Sequence, residues 1–120
     1  MTKILAVDDS ASMRQMVTFT LKSAGFEVAE ATDGVEALNA AKSQSFDVVI
    51  SDVNMPNMDG LTLVKELRNM DKYKFTPILM LTTESSGDKK QAGRAAGATG
   101  WIVKPFNPDQ LLATVNKVLG

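Results

Sequence analysis

Asp8 and Asp9 follow the first apolar run of this chain, Asp52 the third, Thr82 the fourth and Lys104 the fifth. If those runs are parallel strands, their carboxyl ends share one edge of a sheet, which is where ligands bind in open sheets of that kind. Taken singly, Asp9, Ser10 or Thr82 reads equally well as a loop starter or a helix cap. Taken together, the set resists that explanation. Carboxylates side by side repel by ~4 kcal/mol per pair near 4 Å at a surface-like dielectric, and no structural role calls for three of them. A hard divalent cation does, since Mg²⁺ takes a few carboxylate oxygens, keeps several waters and accepts phosphate oxygens as further ligands. Lys104 is then expected on the far side of the site, a cation placed where a transferred phosphoryl group carries negative charge. Pro105 restricts the chain directly after that lysine.

The elements that must position these residues are legible as an alternation. Apolar runs at 3–7, 26–31, 47–51, 77–82 and 100–103 are separated by segments with helical spacing. In the first of those, Met13, Met16, Val17, Thr20, Leu21 and Ala24 form one stripe, Ser12 with Gln15 can make a capping box, and Gly25 is a natural stop. The second opens on Asp33 with Glu36 three residues on, and the last on Asn107-Pro108 before Leu111, Leu112, Val115, Val118 and Leu119. A third helix is expected near 61–70. The fourth, near 86–96, is the weak one: it offers a core only Ala92, Ala95 and Ala96, and Gly93 costs roughly 1 kcal/mol against Ala within a helix. Strict alternation implies right-handed crossovers and a parallel sheet with helices on both faces, an α/β fold. Val48-Val49-Ile50 and Ile78-Leu79-Met80-Leu81 suit strands covered on both faces. The run containing Glu27 and Glu30 suits an edge.

Bulk properties narrow the field. At 120 residues, 44% hydrophobic and 22% charged, the chain is one domain's worth of globular protein. A net charge of −1 without a basic run gives no reason to expect nucleic acid as a partner. No apolar stretch is long enough for membrane insertion, and the charged pair within the first ten residues leaves no room for a signal peptide. With no cysteine, disulfides and thiolate metal sites are excluded, and a cytoplasmic location is expected. With no histidine, any phosphohistidine in the protein's chemistry must sit on another molecule.

Asp8-Asp9, Asp52 with the following Val53-Asn54-Met55-Pro56-Asn57-Met58-Asp59-Gly60, Thr82 and Lys104-Pro105-Phe106 resemble the motifs of the receiver domains of two-component response regulators. The resemblance covers essentially the whole chain, with every motif in order, and is strongest to the single-domain chemotaxis members of that family. It implies a flavodoxin-like three-layer α/β/α sandwich with a five-stranded parallel sheet in the order 2-1-3-4-5. It implies Asp52 as phosphoacceptor, Mg²⁺ held directly by Asp9, Asp52 and the backbone carbonyl of Asn54, and Asp8 acting mostly through water. Lys104 is implied to pair with the phosphoryl oxygens, Thr82 to swing toward the phosphate, and Trp101 to be the aromatic residue that moves inward in response. Asn54 and Glu84 stand at positions that tune how fast the acyl phosphate hydrolyses. Two positions depart from the familiar pattern: Trp101 replaces a Tyr, Phe or His, and Val53 a Trp.

The resemblance further implies that residues 1–120 form a single receiver domain with no output domain, so that signalling runs through protein–protein binding. The partners expected are a histidine kinase of the chemotaxis type, a flagellar motor switch protein or another protein target, and a phosphatase. The alternative within the class is a phosphorelay intermediate. A Mg²⁺-dependent aspartyl-phosphate phosphatase shares the acyl-phosphate intermediate, but such enzymes resemble Asp-x-Asp, and Asn54 cannot serve as the second acid. A nucleotide-binding flavodoxin relative lacks support too, because Asp8-Asp9 would repel a phosphate after the first strand. No external metabolite substrate is expected.

Overall fold

The computed structural model describes residues 2–82, 87–104 and 106–119. Strand β1 (Lys3–Val7) is followed by helix α1 (Ala11–Ser23), β2 (Glu27–Ala31), α2 (Gly34–Ser43), β3 (Val48–Asp52) and α3 (Gly60–Arg68). A 3₁₀ turn (Asp71–Tyr73) leads into β4 (Ile78–Thr82), α4 (Gly87–Ala96), β5 (Gly100–Val103) and α5 (Pro108–Leu119). The five strands pair in parallel in the order β2-β1-β3-β4-β5. The third run is displaced by one residue from the expectation, so Asp52 is the last residue of its strand and not the residue beyond it.

Alternation along the strands divides the core into two layers. Leu5, Val7, Val49, Ile78 and Met80 join α2 and α3 through Ala37, Ala41, Leu63, Val64 and Leu67, with Ala96 of α4. Ile4, Ala6, Val48, Ile50, Leu79, Leu81 and Ile102 join α1 and α5 through Val17, Leu21, Leu111 and Val115. The three-layer sandwich follows from these two apolar faces. β2 closes one edge with Glu27 and Glu30 exposed.

Local chemistry sets the helix ends. α1 is capped by Ser10, whose Oγ accepts Met13 N–H at 3.3 Å; Ser12 lies inside the first turn, so the expected Ser12–Gln15 box does not form. The helix stops at Gly25 (φ +94°), where Gly25 N–H bonds to Lys22 O at 3.0 Å and Phe26 N–H to Leu21 O at 3.1 Å. That pair of bonds needs a left-handed residue, which glycine adopts without penalty. Asn107 and Gln110 cap α5 reciprocally, at 2.8 and 3.0 Å. Leu119, expected in the core, is 39% exposed in the last turn.

α4 departs most from expectation. Ala92 and Ala95 are exposed, and the buried face is Gly93 with Ala96. A Cβ on Gly93 would lie 2.2 Å from Cζ2 of Trp101. The glycine that reads as a helix weakness is therefore the seat of the indole, which packs half-buried against the α3 side of the sheet. At the opposite end of the sheet from the carboxylates, Arg68 gathers the connections into β4 and β5, donating to Gly97 O at 2.9 Å and to Tyr73 O and Thr76 O at 2.7 Å.

Candidate metal and phosphoryl site

β1 and β3 are adjacent, with Val7 opposite Ser51, so the chain delivers Asp8 and Asp52 to the same edge without further adjustment. One oxygen from each of Asp8, Asp9 and Asp52 lies within 4.8 Å of the others. Asp8 is the buried member, at 2% exposure, whereas Asp9 is exposed. Asp8 is also the most constrained: Oδ1 accepts Ser10 N–H at 2.9 Å and its carbonyl accepts Arg14 Nη1 at 2.7 Å. Arg14 in turn pairs with Glu30 at 3.0 Å, tying α1 and β2 to the end of β1.

Lys104 directly follows the last residue of β5 and reaches the site from that strand end. Its Nζ lies 3.3 Å from Asp8 Oδ2 and 3.4 Å from Asp52 Oδ1, bridging the two carboxylates that β1 and β3 bring together. Lys104 N–H donates to Thr82 O at 2.7 Å, which carries the lysine from the edge strand toward the centre. Burial is the largest influence on Asp52 and pushes its carboxyl above the ordinary range; Lys104 opposes that shift, and the Asp8 charge adds to it.

Gly60 completes the geometry behind Asp52. Its N–H bonds to Val53 O at 2.8 Å, and a Cβ there would lie 2.2 Å from Asp52 O. The start of α3 can approach the strand end only because that side chain is absent. Asp52 Oδ1 accepts Val53 N–H at 2.8 Å, which orients the carboxylate. Val53 itself is buried in the core.

The remaining expected residues are placed as follows. Thr82 is buried at the end of β4, one step past Leu81, the register partner of Asp52. Trp101 pairs with Met80, two residues short of that strand end. Asn54 is exposed in the loop after β3. Glu84 and Pro105 lie outside the described residues. Arg14, Gly60, Asp33 and Asn57 have structural parts in or beside the site that the sequence did not disclose. Asp33 was legible only as the start of α2, and Asn57 and Gly60 only as members of the run that follows Asp52.

The donor set fits Mg²⁺. All its oxygens are hard, Asp9 keeps one side open to water, and three carboxylates against one ammonium leave a formal charge of about −2 for a divalent ion to offset.

Comparison with known proteins agrees with this layout. Residues 4–116 match the family model described as "Response regulator receiver domain". The chain is 43% identical to a chemotaxis protein CheY homolog of Campylobacter jejuni, over 98% of this chain and 92% of that protein. It superposes with a TM-score of 0.95 on the chemotaxis response regulator CheY4 of Vibrio cholerae, at 63% identity and 98% coverage of each chain. The receiver domain of a Pseudomonas aeruginosa sensor histidine kinase, solved with a magnesium ion coordinated in its active-site cleft, aligns at 26% identity with a TM-score of 0.92, covering 99% of this chain and 98% of that one.

Proposed function

The chain belongs to the family of response regulator receiver domains, and on that premise we propose that it accepts a phosphoryl group on Asp52 and signals by changing its affinity for a protein partner. The observation that supports this reading best is the convergence of Asp8, Asp9 and Asp52 around Lys104.

Asp9, Asp52 and the carbonyl of Asn54 would hold Mg²⁺ directly, and Asp8 mostly through water. When bound, the ion neutralises charge on the phosphoryl oxygens. The protein's own groups do the rest. An Asp52 carboxylate oxygen attacks phosphorus as the bond to the donor's histidine nitrogen breaks, giving an acyl phosphate. Lys104, already between the carboxylates, turns its ammonium to the new phosphoryl oxygens, where a preorganised cation is most effective. Thr82 hydrogen-bonds the phosphate, and Trp101 responds by repacking; Asn54 and Glu84 tune hydrolysis.

The donor is a histidine kinase in trans, since this chain has no histidine. The names of the Campylobacter and Vibrio relatives favour chemotaxis, with a flagellar motor switch protein as the target and a phosphatase to discharge the site. We place the protein in the cytoplasm, with no metabolite as substrate; among the described residues no helix is long and apolar enough to cross a membrane.

Acetyl phosphate should label the protein only when Mg²⁺ is present, and Asp52→Asn should abolish labelling. Labelling of that variant, or full labelling in excess chelator, would refute the assignment.

A further inference from the structure

Asp33 and Asn57 have no part in the chemistry above, yet they meet across the gap between α2 and the loop that follows Asp52. Asp33 caps α2 through Oδ1, which accepts Glu36 N–H at 2.8 Å, while Oδ2 accepts Asn57 Nδ2 at 2.7 Å. These two bonds, Glu36 first, hold the Asp33 carboxyl below its ordinary range. Asn57 is the apex of a three-residue turn closed by Met58 N–H on Pro56 O at 2.7 Å. Its φ is +69°, the one positive value at a non-glycine among the described residues. A γ-turn of that sign is uncommon and strained, and it persists only where its surroundings hold it. The next residue is tied to the same helix. Met58 O accepts Gly34 N–H at 3.2 Å, and a Cβ on Gly34 would lie 2.5 Å from that oxygen.

The loop between β3 and α3 is thus fastened at its base by Gly60 N–H to Val53 O and at its far side to the first turn of α2. Asn54 lies between those anchors. A side-chain ligand can find a cation by changing rotamer, but a backbone carbonyl is aimed only by its loop.

We propose that Asp33 and Asn57 are positioning residues for the metal site: their hydrogen bond sets the loop that aims the Asn54 carbonyl, so α2 helps determine Mg²⁺ affinity without touching the ion. This rests on the metal reading given above. Outer partners of metal ligands typically matter by 10–100-fold in affinity, and here the link is through the backbone, so the lower end applies.

Calorimetric titration with Mg²⁺ alone tests it, on the full chain. Asp33→Ser keeps a capping oxygen for α2 but is too short to hold Asn57. Asn57→Gly keeps the positive φ and loses the amide. Each is expected to weaken Mg²⁺ binding by about tenfold. The exchange Asp33→Asn with Asn57→Asp restores a cap and an amide–carboxylate bond in the opposite sense, in residue types that tolerate the left-handed region, and should recover most of the affinity. A purely structural role predicts lower melting temperatures in chelator with an unchanged dissociation constant. Wild-type affinity in Asp33→Ser, or an exchange variant no tighter than the single variants, overturns the inference alone. A wild-type protein that binds no Mg²⁺ overturns the metal reading and this inference with it.

Discussion

Asp52 is held in a place where a neutral group would be easier to keep. Burial raises its pKa above the ordinary 3.8, Lys104 pulls it back and Asp8 pushes it up further. Because the folded value is the higher one, Asp52's contribution to stability is full below the ordinary pKa and is lost as pH rises through the folded value. Asp52→Asn, which cannot ionise, should therefore unfold at higher urea than the wild type in chelator at about pH 7, with the gap closing toward about pH 3.5. Mg²⁺ should narrow the gap from the other side, stabilising the wild type by about 2.7 kcal/mol at one hundred times its dissociation constant. A variant that unfolds at lower urea in chelator at neutral pH would show that Lys104 outweighs burial at this carboxylate. Like-charge repulsion is the smaller part of this effect. The sequence shows three aspartates and a lysine but not that the ammonium falls between two of them, because its place depends on β5 lying two strands from β3.

Two helices carry features with opposite consequences. Thr18 in α1 is buried, and its Oγ1 is the one buried side-chain polar atom among the described residues without a hydrogen-bond partner. Thr18→Val keeps the shape and similar helix propensity while removing the orphan hydroxyl, and should stabilise the protein by about 1 kcal/mol in urea titration. In α4, Gly93→Ala gains about 1 kcal/mol of helix propensity but drives a methyl into the indole of Trp101, and overpacking of that kind costs about 1–3 kcal/mol. The clash should win: lower stability, and Trp101 emission shifted to the red as the ring leaves its seat. Unchanged emission would mean that the helix backbone yields instead. These helices also show what could be read in advance. α2 and α5 were legible because Asp33 and Asn107 stand directly before apolar stripes with few competitors. α1 offered both Ser10 and Ser12, and only packing chose between them. α4 misleads because small residues mark a close approach without saying which alanine faces it. Asp33 and Asn57 look like ordinary turn residues until the fold brings them together.

At the scale of the molecule, the parallel sheet separates two tasks. Its carboxyl edge collects charge around Asp52, and its amino edge is gathered by Arg68, which holds the turns entering β4 and β5 with neutral carbonyls. Alternating apolar runs made the layers legible, whereas strand order came from the family resemblance, since apolar patterning alone does not rank neighbours. That order has a consequence for a chain still being made. Every strand after the first joins an outer edge of those already laid down, and none has to wedge between two earlier ones. A nascent chain, folding from its N-terminus, can therefore widen its sheet by simple accretion as it leaves the ribosome. The ammonium that bridges Asp8 and Asp52 arrives with the last strand, 96 residues after Asp8. Unfinished copies thus display Asp52 without the ammonium that joins it to Asp8. A ribosome-arrested chain with β4 exposed and Lys104 still in the exit tunnel is expected to take no label from acetyl phosphate, and labelling at that length would show that Asp52 can be labelled before Lys104 reaches it.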